Sequence, residues 1–183
     1  LCKSVDFNLT MCPEAIVKYS YYKAPCFFWN SDDLLDTPRE LNNSSFDSDE
    51  FYVLFIGSSY GWRAEFIEKL RAFGVDVRCY GEGWPNGRLE NDELPKMVAA
   101  APLTLGFSNV GYTRNITSLK GRDFEIPSFK GLYLTQYSSG LSKYFNIEEE
   151  ILCYHNFEEC LNKIKWVREN PIRAFEIRNA GYL

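Results

Sequence analysis

Apolar runs and amphipathic stretches alternate along residues 51–167 of this chain. FYVLFIG (51–57) is a continuous apolar run that ends in glycine, which is typical of a strand buried on both faces. The next stretch repeats its apolar residues with helical spacing and ends at Gly74. The predicted buried face of that helix consists of Phe66, Ile67, Leu70 and Phe73. The same pattern predicts further strands at 75–81, 101–107, 131–135 and 150–154, and a helix at 92–100.

A last helix is predicted to begin after Asn156, because Asn156 and Glu159 have the spacing of a capping box. Its apolar residues recur at helical spacing and are expected to form one buried stripe. The members of that stripe are Phe157, Cys160, Leu161, Ile164 and Val167.

Strands and helices that alternate at this spacing predict an α/β fold, a doubly wound, mainly parallel sheet of the Rossmann-like kind. Ligands of such sheets bind in the crevice beyond the carboxyl ends of the strands. The functional residues are therefore expected in the loops that follow Gly57, Gly81, Phe107 and Thr135.

Composition narrows the function classes. The 183 residues are 45% hydrophobic and carry a net charge of −5, which argues against a disordered chain and against a general nucleic-acid binder. No apolar run approaches the roughly 20 residues of a membrane span, so no transmembrane segment is predicted. The six cysteines contain no C-x-x-C pair and there is one histidine, so no metal site is predicted. A reduced, cytoplasmic protein is favoured over a disulfide scaffold.

The acidic segment 31–50 divides the chain. It contains seven acidic residues and one arginine, a net charge of −6, and much of the rest is Asn, Ser and Pro, as in a solvated linker. The predicted organisation is therefore a short piece at 1–30, an acidic linker at 31–50 and the α/β domain at 51–183. Because the chain begins with Leu1, we interpret it as an excised part of a longer protein.

Two loops with small residues are candidates for ligand binding. In the first, Gly57 and Ser58 precede a helix whose opening turn contains Arg63, an arrangement that suits a phosphate. The alternative is a tight turn that needs glycine for steric reasons. In the second, Gly81 and Trp84 could form a slot for a flat base or a sugar, or Trp84 could simply cover the sheet edge.

The segment GYTRNITSLKGRDFEIP (111–127) is the most informative. Pro127 is expected in the opening turn of a helix that begins near Arg122 or Asp123, which places Lys120 and Arg122 beside the positive end of that helix. The two basic residues could hold a diphosphate, and Glu125 could accept hydrogen bonds from ribose hydroxyls. The alternative is that Arg122 and Glu125 form a surface ion pair with i, i+3 spacing.

Two stretches carry a family resemblance. KGRDFEIPSFKGLYLT (120–135) and EEILCYHNFEECLNKIKWV (149–167) resemble the C-terminal domain of group 1 glycosyltransferases, most closely the spore-maturation-type branch. The resemblance implies a GT-B enzyme that binds a nucleotide-sugar donor in this domain and transfers the sugar to a carbohydrate or glycoconjugate acceptor, with no bound metal or other cofactor. Segment 1–30 then resembles the end of the acceptor domain, and the fragment alone is expected to be inactive.

The resemblance also assigns residues. Glu125 matches the glutamate that binds the ribose, whereas the position eight residues earlier, an acid in the wider superfamily, is Thr117 here. Asn115 or Arg122 is the expected substitute for that acid. Lys120, Arg122 and Arg63 would neutralise the diphosphate leaving group. The catalytic base and the stereochemical course are not assigned.

Other functions share this fold. A flavodoxin-like FMN carrier could use the loop after Gly57 for its phosphate and Trp84 against the isoalloxazine ring. A receiver domain is disfavoured, because FIGSS lacks the acidic pair that holds magnesium. A non-catalytic interaction module on the same fold is the remaining alternative.

Overall fold

The computed structural model describes residues 8–10, 26–28, 50–113 and 116–182. Seven strands fall in these ranges: β1 (Asn8–Thr10), β2 (Cys26–Phe28), β3 (Val53–Ile56), β4 (Val77–Tyr80), β5 (Leu103–Gly106), β6 (Tyr133–Gln136) and β7 (Leu152–Tyr154). The helices are α1 (Arg63–Ala72), α2 (Glu93–Ala100), α3 (Arg122–Ser128), α4 (Phe157–Glu169) and α5 (Pro171–Tyr182), with a 3-10 turn at Leu141–Lys143.

The main sheet has five strands in the order β4-β3-β5-β6-β7, and every neighbouring pair is parallel. The doubly wound parallel fold predicted from the alternation is therefore confirmed. The chain order reverses between β3 and β5, so a topological switch point lies at their carboxyl ends, where ligands of such folds bind.

Apolar cores cover both faces of this sheet. On one face α1 and α4 pack through Ile67, Leu70, Ile164 and Val167, which are buried with the odd positions of β3 and β5. On the other face α2 and α3 pack through residues such as Val98 and Ile126. Helix α5 contacts both α3 and α4. Burial on both faces explains why the central strand β3 is apolar throughout, whereas the edge strand β4 alternates between buried and partly buried residues.

Most element boundaries match the sequence pattern. Helix α1 is followed by Gly74, which adopts a positive φ of 83°. The Asn156 side chain accepts a hydrogen bond from the Glu159 N–H at 2.9 Å, which confirms the predicted cap of α4. In α1 the predicted face is buried at Ile67 and Leu70, whereas Phe73 is 59% exposed.

The start of α3 at Arg122 is confirmed, but its predicted cause is wrong. Pro127 lies in the second turn and not in the opening turn. The position is tolerated because α3 ends one residue later, so the missing N–H removes at most a terminal hydrogen bond. Lys130 then takes a positive φ of 59° and turns the chain into β6.

The first two strands form a separate parallel pair, with Asn8 opposite Cys26. Both strands lie within the 1–30 piece of the predicted organisation. Most of 1–49, including all of the predicted linker 31–50 except Glu50, lies outside the described residues, so the domain boundaries stay predictions. Three described cysteines, Cys79, Cys153 and Cys160, are buried and form no disulfide. Within the described ranges, no helix has the length and apolarity to cross a bilayer.

Candidate functional site

A cavity of about 170 Å³ lies at the topological switch point. Its walls come from the ends of β3 and β5, the loop before α3 and the first turns of α1 and α3. The lining residues include Gly57, Thr104, Gly106, Ile126 and Tyr133 together with three cations, Arg63, Lys120 and Arg122. None of the described residues that line it is acidic, so this switch-point cavity has a positive wall.

Arg63 supplies the most buried of these cations. The residue is 8% exposed, and none of the described acidic residues forms an ion pair with it. Its guanidinium donates to the Ser58 carbonyl at 3.3 Å and stacks 4.1 Å from the centre of the Tyr60 ring, while its Nε–H has no partner. Burial lowers the pKa of Arg63 from its ordinary value. A desolvated cation without an anion is costly, so this side chain is well suited to bind one.

Lys120 and Arg122 reach the cavity from the turn that opens α3. The Lys120 ammonium donates to the Ser118 hydroxyl at 3.1 Å. Arg122 forms an ion pair with Glu125, and both side chains are partly buried, with 35% and 19% exposed. The ion pair weighed in the sequence analysis is therefore present, and Arg122 lines the cavity at the same time.

A second cavity of about 210 Å³ adjoins the first and shares Ile56, Gly57 and Arg122 with it. Its remaining walls come from the loops after β3 and β4 and from the start of α2. They consist of Ser58, Gly81, Glu82, Arg88, Leu89, Glu90, Asn91 and Leu94. We call this the rim cavity; it combines an apolar floor with polar edges.

The loops after β3 and β4 are held together by main-chain hydrogen bonds. The N–H groups of Gly57 and Ser59 donate to the carbonyls of Tyr80 and Glu82, both at 2.8 Å. These two donors are therefore used within the fold and are not available to a phosphate. Gly81, at φ 134°, lies so close to the Gly57 carbonyl that a Cβ there would collide with it.

Trp84 packs in the hydrophobic core. Its ring is 9% exposed and packs edge-on against Phe55, and its indole N–H donates to the Gly57 carbonyl at 2.8 Å. It lines neither cavity. Of the two interpretations given for Trp84, the structure supports packing, because the ring face that a base would need is already covered.

The predicted site residues therefore separate into three groups. Those brought together around the two cavities are Gly57, Ser58, Arg63, Gly81, Lys120 and Arg122. Trp84 and Glu125 line neither cavity, and Glu125 reaches the site through Arg122. Asn115 lies outside the described residues, and the role of every residue stays a prediction.

One buried carboxyl was missed by the sequence analysis. Asp123, in the first turn of α3, is fully buried and accepts the Lys120 N–H at 2.7 Å. It also accepts hydrogen bonds from the hydroxyls of Thr135 and Tyr133 on β6. An acid that precedes an apolar residue in a helix usually faces solvent, and only the fold shows that this one points inward.

Comparisons with known proteins agree with this fold. The model of a family described as glycosyl transferase-like matches residues 63–183. A search among curated proteins finds no significant match. Among solved structures, sucrose-phosphate synthase from Thermosynechococcus elongatus is similar over 99% of this chain and 53% of its own, with 14% identity and a TM-score of 0.71.

Two further structures have the same fold. TarM covers 99% of this chain with 12% identity and a TM-score of 0.68, over 40% of its own length. An alpha1,3-fucosyltransferase covers 74% with 15% identity and a TM-score of 0.57, over 38% of its own length. The chain thus spans about half, or less, of the structures it resembles. At these identities the similarity shows the fold alone, the Rossmann-like domain of GT-B enzymes.

Proposed function

Because the chain belongs to the glycosyl transferase-like family, we propose that its α/β domain binds a nucleoside diphosphate sugar and holds it for transfer to an acceptor. The observation that supports this most is the positive wall of the switch-point cavity. Arg63, Lys120 and Arg122 all line this cavity, and Arg122 does so while it is paired with Glu125. A diphosphate has the charge and the oxygen acceptors that such a wall favours.

The two cavities suggest how the donor lies. Drug-sized ligands occupy roughly 300–1,000 Å³, so neither cavity alone is large enough for a nucleotide sugar. In our proposal the diphosphate occupies the switch-point cavity and the nucleoside occupies the rim cavity, with Arg122 between them. Ile56, Leu89 and Leu94 supply an apolar floor for the base.

Glu125 is proposed to bind the ribose while it stays paired with Arg122. A carboxylate has two oxygens and about four acceptor positions, so an ion pair with Arg122 does not by itself prevent Glu125 from accepting hydrogen bonds from hydroxyls. In this arrangement the ion pair fixes the Glu125 rotamer next to the boundary of the two cavities. The ion pair and a role in ligand binding are then compatible for Arg122 and Glu125. A binding measurement is needed to test the role in ligand binding.

Transfer of the sugar breaks the bond between its anomeric carbon and the diphosphate, so negative charge grows on the leaving oxygen. Cations fixed in advance near that oxygen stabilise the transition state more than the ground state. Arg63 is suited to this role because packing against Tyr60 already holds it in place. The sugar acceptor, a carbohydrate or glycoconjugate, and turnover itself are part of the proposal, as is membership of the spore-maturation-type branch.

Binding of a nucleotide panel tests this function. The protein is titrated calorimetrically with UDP, GDP, ADP and TDP, their sugars, the monophosphates and the nucleosides. We expect one base to be preferred and the diphosphate to bind more tightly than the monophosphate, with affinity falling as salt is raised. No binding across the panel, or equal affinity for nucleoside and diphosphate, would contradict the proposal.

The FMN-carrier alternative is less well supported. It needs an aromatic ring to face the isoalloxazine, and Trp84 is buried with its N–H bonded to Gly57. An absorbance spectrum of the purified protein distinguishes the two functions, because bound flavin is yellow. The interaction-module alternative predicts that none of the ligands in the nucleotide panel binds.

A further inference from the structure

A buried hydrogen-bond cluster lies directly beneath the switch-point cavity. At its centre is the carboxyl group of Asp123, which accepts from the Lys120 N–H at 2.7 Å and from the Thr135 hydroxyl at 3.4 Å. The Tyr133 hydroxyl is a third donor. Asp123, Thr135 and Tyr133 are each no more than 2% exposed.

The cluster is connected to the cavity at several points. Lys120, Arg122 and Tyr133 all line the cavity, and the first and last of these bond directly to Asp123. Tyr133 reaches Asp123 by lying across Gly106, where any Cβ would collide with its hydroxyl. The Asp123 carboxyl is therefore in direct contact with residues that line the cavity assigned to the diphosphate.

Asp123 can change its charge near neutral pH. Burial raises its pKa to about 6, although the Lys120 N–H, the two hydroxyls and the Lys120 charge lower it. The other groups that face it titrate elsewhere: burial raises the pKa of Tyr133 well above 10 and that of Cys153, on β7, to about 12. Lys120 and Arg122 are the cations nearby.

We propose that Asp123 couples proton uptake to occupation of the cavity, so that the site binds a diphosphate more tightly when this carboxyl is protonated. The inference rests on the proposed function. In the free protein the Lys120 charge favours the ionised carboxylate, and Arg122 is a second cation of the same cavity wall. A diphosphate neutralises those cations and adds negative charge of its own, so the bound state favours a protonated Asp123, with the proton taken from solvent.

The experiment uses nucleotide sugars, UDP-glucose and GDP-fucose, because their diesterified phosphates do not titrate near pH 6. Affinity is measured by calorimetry from pH 5.5 to 8 in buffers of different ionisation enthalpy. If binding raises the pKa of Asp123 by about one unit, affinity should increase roughly five- to tenfold from pH 8 to pH 5.5. About half a proton should be taken up per ligand near pH 6.5.

Three variants separate this coupling from a structural role. Asp123→Asn keeps an oxygen acceptor for Lys120 and should bind with little dependence on pH. Thr135→Val removes a donor to the ionised carboxylate, so the transition should move to higher pH. His155→Gln is the control, because that imidazole lies apart from the cavity, stacked on Tyr137 and 3.0 Å from Glu159, and should leave the profile unchanged.

The outcomes are distinct. Tight binding that is equal at pH 5.5 and 8, with no buffer-dependent heat, overturns the coupling and leaves the proposed function intact. A pH response that persists in Asp123→Asn, or that moves in His155→Gln, also overturns it. If Asp123→Asn does not fold, an unshifted transition in Thr135→Val is decisive against the proposal. If no nucleotide binds, both the proposed function and the proposed coupling are refuted.

Discussion

Substitution of Arg63 by methionine should separate binding from stability. The side chain is buried without an acidic partner among the described residues, and its Nε–H is unsatisfied. A buried arginine that stabilises the fold is expected to have an acidic partner within the protein. A buried arginine that binds an anionic ligand does not need one, because the ligand supplies the negative charge. Methionine preserves most of the apolar stem and removes only the charge and the donors.

The magnitudes follow from these contacts. Removal of an uncompensated buried cation tends to stabilise a protein, and loss of the stacking on Tyr60 opposes this by about 0.5–2 kcal/mol. We expect the free energy of unfolding to stay within about 1 kcal/mol of the original. Loss of charge-assisted hydrogen bonds to a diphosphate costs about 2–3 kcal/mol, a roughly 30- to 150-fold increase in Kd.

Urea denaturation gives the stability of the variant, and calorimetric titration with the preferred nucleoside diphosphate and its nucleoside gives the binding. Arg71→Met, on the same helix, is the matched control. Arg71 donates to the Val77 carbonyl at 2.6 Å and pairs with Glu68 at 2.7 Å, so its loss should cost about 1–2 kcal/mol of stability and leave Kd unchanged. An Arg63→Met protein that is clearly destabilised but binds normally would refute the reasoning.

Three further predictions concern neighbouring residues. Glu125→Gln and Arg122→Ala should each weaken nucleotide binding by about 1–3 kcal/mol and change the free energy of unfolding by under about 1 kcal/mol. For Arg122→Ala the loss of affinity should be greater with diphosphates than with nucleosides. Calorimetric titrations that match those of the original protein would contradict both assignments. Arg178→Met should lower the free energy of unfolding by about 2–4 kcal/mol, because its buried guanidinium donates to the carbonyls of Lys130 and Ala99; a denaturation midpoint equal to that of the original would contradict this. Gly106→Ala should cost about 1–3 kcal/mol, since Tyr133 must leave the sheet surface, and calorimetric melting is the check.

The sequence alone predicts the elements of the α/β domain well. Strand β3 lies within the predicted 51–57, α4 begins after Asn156 as its cap predicts, and α3 begins at Arg122. These features depend on residues a few positions apart, through periodic burial and the hydrogen bonds of single helix ends. The edge of the sheet that carries the loops also follows from the alternation, because parallel strands all point the same way.

Which residues each side chain contacts depends on the tertiary structure. Pairing of β3 with β5 brings Gly57 next to Phe107, fifty residues later in the chain, and this creates the cavity that Arg63 enters. The same packing buries Trp84 in the core and turns Asp123 inward to meet Tyr133. A glycine, a tryptophan or an aspartate has the same local signature in a turn, a core or a site. Strand order and long-range packing decide which of these it is, since they determine whether a side chain meets solvent, apolar atoms or a charge.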